Sequence, residues 1–439
     1  MLNAAQAADW TRDLLEMRTQ EREFLDNIHA YWRGEQPLPI APSGVPADVT
    51  RLAKMSRVNV CQLAVNVPAQ SMFVTGFRDE DAPTWAAWQA NRMDKHQTAV
   101  HRSMLAYGTS YVTVMPAGEF PAMRGISPRH MTVAYERGSD WPEVALEVRL
   151  VGRKVTYHLY DSEARYTLRE DPEQASFARQ QYWPVLTNVE AHGAGVCPVV
   201  RFQAVDDLDG HPNSAIVPIM PLQDQIDFTT FGLLVAQHFA AFRQRYVIGW
   251  TSDDENEKAK ASASRLWTFD PEDGAESMKI GEFGQTDLSG YLDSRQSTQE
   301  LFGIIGQIPP HNLLGKMVNL SADALVAAEV GHSRMLQTLE TSAGESWEQA
   351  HLLCGRYMGV EVSEGAQVRW RDMEARSLAQ TVDALGKMRQ MLDVPREALW
   401  EKIPGVTQQD AAHWRQLAAA DDALGRLFAD LDRQNAPVE

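Results

Sequence analysis

From Ala4 to Tyr31 the apolar residues Leu14, Leu15, Met17, Phe24, Leu25, Ile28 and Tyr31 recur at spacings near three and four. That period predicts a helix. Gly34, Pro37, Pro39, Pro42, Gly44 and Pro46 follow, and helix does not cross such a run. A second helix is expected over Ala47–Ser71, kinked or ended early by Pro68. A third is expected over Thr84–Tyr107, carrying Trp85, Trp88 and Met93.

The period then shortens to two. Tyr111–Val114 is β-prone, and Val144, Leu146, Val148 and Leu150 alternate strictly, two residues apart. Val155, Tyr157 and Leu159 do the same after a turn at Gly152-Arg153, and Arg165–Leu168 follows the Asp161-Ser162-Glu163 turn. The pattern predicts an antiparallel meander. Cys197–Phe202 is a further strand candidate, with Pro198 near its start.

After Pro218 and Pro221 the helical period returns. Leu222, Ile226, Phe231, Leu234, Phe239 and Phe242 mark one face up to Tyr246, and Phe228, Leu233 and Val235 widen it. A helix apolar on several sides belongs deep in a core or against a neighbouring subunit. Thr251–Asp287 is a polar insert with ten acidic and four basic residues. Leu288–Ile305 is again helical, and Gln307–Leu320, with Pro309, Pro310 and Gly315, is expected to be non-helical. Ser321 suits an N-cap with Asp323 in the first turn. The long helix it opens has Leu325, Ala328, Leu336, Leu339, Ala343, Trp347, Ala350 and Cys354 on one face, and Gly359 as its stop. Helices over Ser377–Leu392, Pro395–Ile403 and Thr407–Asp432 complete the chain.

Composition narrows what such a chain does. Its 439 residues, 44% apolar, suffice for a substantial core and two or three structural units. No apolar run is long enough to span a bilayer, and residues 1–12 lack the pattern of a signal peptide. Cys61, Cys197 and Cys354 are far apart in apolar surroundings and are expected to be structural thiols in a reducing compartment. The formal charge of −18 argues against a protein that grips nucleic acid, since phosphate binding needs clustered Lys and Arg. It permits a surface that lets DNA slide past, and equally the solubility of an acidic protein.

Catalytic motifs are weak or missing. Gly193-Ala194-Gly195 has no third glycine and no following helix, as dinucleotide binding requires. Asp206-Asp207-Leu208-Asp209-Gly210 lacks the alternating ligands and closing Glu of a calcium loop. The sequence holds no phosphate-binding P-loop, and none of the zinc-protease, paired-cysteine or serine-hydrolase signatures. His96 and His101 lie five apart, and His29, His238, His332 and His351 are expected to be core or surface histidines. The pairs Asp206-Asp207, Asp253-Asp254 and Asp421-Asp422 lie in polar context. No catalytic residue, metal ligand or cofactor is therefore assigned.

The order of elements, with its local words, resembles the portal proteins of long-tailed bacteriophages. The words are Tyr31-Trp32-Arg33-Gly34, Val58-Asn59-Val60-Cys61 with Gly76-Phe77, Trp85-x-x-Trp88-x-x-Asn91, Tyr107-Gly108-Thr109-Ser110-Tyr111-Val112, Pro198–Phe202, Leu222-Gln223-Asp224 and Ser321–Leu325. The resemblance covers nearly the whole chain. It implies an α+β fold, predominantly α, with wing, stem, clip and crown. Residues 1–215 would be wing, 216–246 and 287–307 stem helices, 247–286 clip, 308–320 tunnel loop, 321–366 a long wing helix and 367–439 crown. It further implies a ring, usually of twelve copies, at a capsid vertex of the virion, assembled in the host cytoplasm. Its partners would be terminase, a head–tail adaptor, capsid and scaffold proteins, and double-stranded DNA passing without sequence specificity. His311, Asn312 and Lys316 would face that DNA, with Lys316 the lone Lys or Arg of residues 308–320. The alternatives are a soluble enzyme of unknown chemistry or another head–tail assembly protein.

Overall fold

The computed structural model describes residues 1–39, 47–77, 82–152, 154–170, 184–205, 213–240, 245–248, 266–269, 279–282, 287–314, 322–362, 367–371, 378–400, 402–403, 406, 410–411 and 413–420. Two compact units divide the chain. The first comprises residues 1–26, 65–214 and 333–439, and the second residues 27–64 and 215–332.

In the first unit a meander of five antiparallel strands runs β4 (Met131–Tyr135), β5 (Pro142–Val151), β6 (Lys154–Tyr160), β7 (Ala164–Glu170) and β8 (Pro184–Ala191). Strict alternation gives this sheet two buried faces. Val144, Leu146, Tyr157, Leu159, Tyr166 and Leu168 pack with Ala7 and Leu14 of the long first helix, α1 (Ala4–Arg33). Ala145 and Tyr160 point the other way and pack with Tyr111, Ile126, Met131, Cys197 and Val199. These belong largely to a second sheet, in which β2 (Thr109–Met115) lies between β3 (Ala122–Ile126) and β9 (Val199–Gln203). Leu150, expected on the apolar face of β5, is exposed near the strand end.

Glu147, next to Ala145 and Leu146, is a buried carboxylate. It accepts hydrogen bonds from Arg124 (2.6 and 2.5 Å), Arg149 (2.6 Å) and the Tyr160 hydroxyl (3.0 Å). Burial raises its pKa, but the two guanidiniums outweigh burial and hold it below the ordinary carboxylate value.

The predicted third helix is two helices, α4 (Ala82–Ala90) and α5 (Met93–Tyr107). Asn91 explains the break. Its amide donates to Pro121 O (2.8 Å) and its carbonyl accepts from Met123 N (2.9 Å), so it docks β3 instead of continuing the helix. Arg92 then takes a left-handed conformation with φ of 53°. The predicted second helix also breaks, at residues 57–60 and not at Pro68. It forms α2 (Ala47–Ser56) and α3 (Cys61–Ser71), with Pro68 inside α3.

Six further helices are named among the described residues. They are α6 (Met220–Ala240), α7 (Ser289–Ile305), α8 (Pro310–Leu314), α9 (Ala322–Met358) and α10 (Leu378–Leu392), with a short α11 (Arg396–Trp400) beyond. The long helix α9 ends before Gly359, whose φ of +66° suits glycine. Its predicted face is buried at Leu339, Ala343, Trp347, Ala350 and Cys354. Ser342 and Ser346 tie it to the β9 carbonyls of Gln203 and Arg201 (2.7 and 2.8 Å). Trp347 meets Trp88 and Phe202 edge-on at centroid distances of 4.8 and 4.6 Å. β1 (Val74–Phe77) pairs antiparallel with β13 (Val368–Trp370) beside this cluster.

His101 sits under Trp347 with no exposure. Its Nδ1 faces Met72 O (3.2 Å) and its Nε2 faces the Trp347 indole N–H (2.9 Å). The indole can only donate, so Nε2 accepts and the ring is neutral with its proton on Nδ1. Burial lowers the His101 pKa to about 4, and burial together with Arg149 lowers that of half-buried His158 to about 4. Both folded values lie below the ordinary 6.5, so on acidification the unfolded chain takes up these protons first. Stability supplied by the neutral rings is complete above the ordinary value and is lost as pH falls from 6.5 toward 4. Thermal melts across that window should show a falling midpoint, and His101→Gln should flatten the slope. A midpoint independent of pH there would show that neither ring is held neutral.

Candidate functional site

The second unit is organised on α6. This helix is apolar on several sides, and part of that width is covered within the chain. Phe231 packs with Val49 and Ala53 of α2, and α7 packs on α6 as well. Gly232 permits the α7 contact, since a Cβ there would lie 3.0 Å from the Tyr291 ring. The helix spans Met220–Ala240, short of the predicted end at Tyr246. Residues 245–248 are instead a strand.

At its N-terminal end α6 presents Gln223, Asp224 and Asp227. Gln223 is completely buried. Its Oε1 accepts from Val60 N (3.0 Å) and Cys61 N (3.3 Å), which caps α3. Its Nε2 donates to Asp227 Oδ1 (2.9 Å) and to Val58 O. Both donors and both lone pairs of the amide are thereby used. Asp227 accepts from Val58 N (3.0 Å) and Gln36 Nε2 (2.8 Å). Asp224 accepts from the Tyr31 hydroxyl (2.7 and 2.9 Å). Asn59 donates to Trp32 O (3.0 Å), and Gly34, at φ +74°, lies against Asn59. This network explains the break between α2 and α3, because side chains of α6 satisfy the backbone there.

Three of the sequence words therefore converge. Tyr31–Gly34, Val58–Cys61 and Leu222–Asp224 are one hydrogen-bonded cluster. Desolvation raises the pKa of Asp227 despite its three hydrogen bonds, and raises Tyr31 well above its ordinary value, aided by Asp224. Burial pushes the Cys61 thiol up to about 12, with Asp227 and Asp224 adding to it.

Between α6 and α7 in the chain lies a three-stranded sheet in the order β11 (Leu266–Phe269), β10 (Arg245–Ile248), β12 (Lys279–Glu282). β10 is parallel to β11 and antiparallel to β12. Beyond it, α7 buries only Thr298 and Phe302. Tyr291, Leu292, Leu301, Ile304 and Ile305 of the same helix are exposed, Ile304 at 72%. Leu301, Ile304 and Ile305 stand three and four apart and form one apolar patch.

The stretch expected to be non-helical begins differently. Ile308 and Pro309 are buried, Ile308 N bonds Gly303 O (2.9 Å), and the His332 ring donates to Gln307 O (3.1 Å). Pro310 opens the short helix α8, a correction to the sequence reading. Proline suits a first helical position, where its missing N–H has no partner to lose. His311 is half-buried and Asn312 exposed on α8, while Lys316 lies outside the described residues. Among the described residues no group of His, Cys, Asp or Glu is placed to hold a metal ion, and no helix is long and apolar enough to cross a membrane.

A family model described as phage portal protein, SPP1 Gp6-like, matches residues 12–423. The chain belongs to this portal protein family. As a portal protein it has the portal fold, α+β and predominantly α, and serves as a ring-forming structural subunit. A search of curated proteins returns no match. Among solved structures the portal chain is similar to a chain of the virion of a native gene transfer agent (GTA) particle. Identity there is 12% and the TM-score 0.47, over 81% of this chain and 96% of that one. The neck of an empty GTA particle computed with C6 symmetry gives 12% and 0.48, with the same coverage. The neck of a native GTA particle computed with C12 symmetry gives 11% and 0.47, over 82% and 94%.

Gln223→Ala in this portal subunit leaves the Val60 and Cys61 amides without a side-chain acceptor. It should cost roughly 3 kcal/mol, since each buried group left unpaired costs about 1–3. Urea unfolding checks this, and a loss under about 1 kcal/mol would mean that water replaces the amide. Asp227 has the opposite pH sign from His101. Its folded pKa is raised, so its contribution is complete below the ordinary 3.8 and falls as pH rises through the raised value. Asp227→Asn should remove that slope from the stability–pH curve.

Proposed function

We propose that twelve copies of this chain close a ring at one capsid vertex, through which double-stranded DNA is packaged and later ejected. In this reading residues 216–246 and 287–307 are the stem, 247–286 the clip, 308–320 the tunnel loop and 321–366 the wing helix, with wing before and crown after. The clip docks terminase during packaging and the head–tail adaptor afterwards. The ring is assembled with capsid and scaffold proteins in the host cytoplasm and remains in the virion. The chain acts as a structural part and not as an enzyme.

Family membership carries the reading. The exposed face of α7 supports it further. A monomer gains nothing from Leu301, Ile304 and Ile305 in water, whereas a cyclic neighbour would bury them. The charge balance agrees, because the segment proposed as clip carries nine acidic residues to four basic and would not hold phosphate. His311, Asn312 and Lys316 are proposed to face the DNA, with Lys316 making brief, salt-sensitive phosphate contacts.

Leu301→Glu with Ile304→Glu should abolish ring assembly, read by native mass spectrometry and negative-stain imaging, while circular dichroism stays unchanged. Rings of normal size from that variant would place the subunit contact elsewhere. Wild-type chain that stays monomeric at every concentration and salt, with scaffold present, would favour a soluble enzyme or another assembly protein. Lys316→Ala should leave the ring intact and alter DNA packaging or retention. Loss of the ring itself would give Lys316 a structural role.

A further inference from the structure

The first unit carries a concentration of positive charge that neither the portal reading nor the sequence motifs use. A cavity of about 140 Å³ is lined by Arg18, Arg22, Leu25, Asp26, Arg129 and His130. Arg18, Arg22 and Asp26 follow one another at i, i+4 and i+8 on α1, so they share a face. Arg129 and His130 come from the turn between β3 and β4, closed by hydrogen bonds from His130 N and Met131 N to Ser127 O (2.9 and 3.2 Å).

The charges do not cancel. Arg129 donates through Nε (3.1 Å) and a terminal nitrogen (2.7 Å) to one oxygen of Asp26, and Arg22 reaches the other oxygen at 3.4 Å. Asp26 is thus shared between two arginines. Arg18 is half-buried and donates to a neutral acceptor, the Arg129 carbonyl. No carboxylate lies within ion-pair distance of it among the described residues. The nearby Glu147 is already committed to Arg124 and Arg149. Three guanidiniums against one carboxylate leave a surplus of about two positive charges, in a chain whose overall charge is −18. Arg18 titrates below its ordinary value, by burial first and then by Arg22, and His130 is lowered by burial and by Arg18 and Arg129.

We propose that this pocket is a binding site for a single phosphate group. A guanidinium presents five N–H donors in a fixed fork that matches phosphate oxygens, and most of those of Arg18 are left over. A phosphate carrying close to two negative charges at neutral pH matches the surplus. The cavity is well below the several hundred Å³ of a drug-sized ligand site, so it takes the phosphate and not a nucleoside. The group comes either from free phosphate ion, with close to two negative charges, or from a nucleic-acid backbone, whose phosphodiester carries one; both offer oxygens that a guanidinium fork can hold.

The test titrates the full-length protein with inorganic phosphate at constant ionic strength, so that screening does not change. Calorimetry should show saturable binding, and the ring protons of His130 should shift in step in NMR spectra. Arg18→Met should weaken binding at least about tenfold, the loss of one charge-assisted hydrogen bond. Arg22 is 72% exposed, so Arg22→Gln tests the site without disturbing the core, and it should weaken binding about threefold or more. A blunt DNA duplex without terminal phosphates that displaces the ion assigns the source to the backbone, and one that fails to displace it assigns free phosphate. The proposal is overturned if no saturable binding or His130 shift appears, or if Arg18→Met and Arg22→Gln bind as wild type does.

Discussion

The second unit depends on one constraint, the satisfaction of Gln223 and Asp227 inside it. A buried amide and a buried carboxylate are costly unless every valence is paired. Here they are paired mostly with the backbone of other segments, at Val58, Val60 and Cys61. The polar groups therefore fix where α2 ends and where α3 begins. Hydrophobic contact between α2 and α6 tolerates sliding, whereas these directional bonds select one register.

This arrangement leaves α6 held from within the chain and α7 free on much of its surface. A portal subunit needs that division. In the proposed ring, the part that positions the chain is complete before assembly, and the face proposed to meet a neighbour stays uncovered until then. The acidic balance fits the proposed passage of DNA, since a surface that guides DNA works by not holding it. The arginine pocket of the first unit stands out against that background because its positive charge is local and partly uncompensated.

Much of the fold was legible from period alone. The alternation of β5, β6 and β7 and the face of α9 follow directly from residue spacing. What escaped the sequence has long-range causes. The breaks at residues 57–60 and 91–92 come from Gln223 and Asp227 in one case and β3 in the other, partners that spacing does not reveal. β1 and β13 are short and pair across most of the chain, so neither carries a period of its own. Pro310 was read as a helix breaker, yet at a first helical position it is a helix starter. The site was visible as separate words, Tyr31–Gly34, Val58–Cys61 and Leu222–Asp224, whose chemistry appears only when they meet. The arginine pocket had no sequence signal, because α1 and the turn before β4 are joined by folding.

The three cysteines bear on how the subunit meets a change of redox surroundings. Cys61, Cys197 and Cys354 are buried and unpaired, and burial raises each thiol above its ordinary value, Cys354 to about 12. The thiolate is the reactive form, so all three are chemically quiet at neutral pH. The subunit thus keeps one covalent structure whether glutathione surrounds it or dissolved oxygen does. A change from reducing to oxidising surroundings would ask no change of it, and no disulfide among these three would have to form or break.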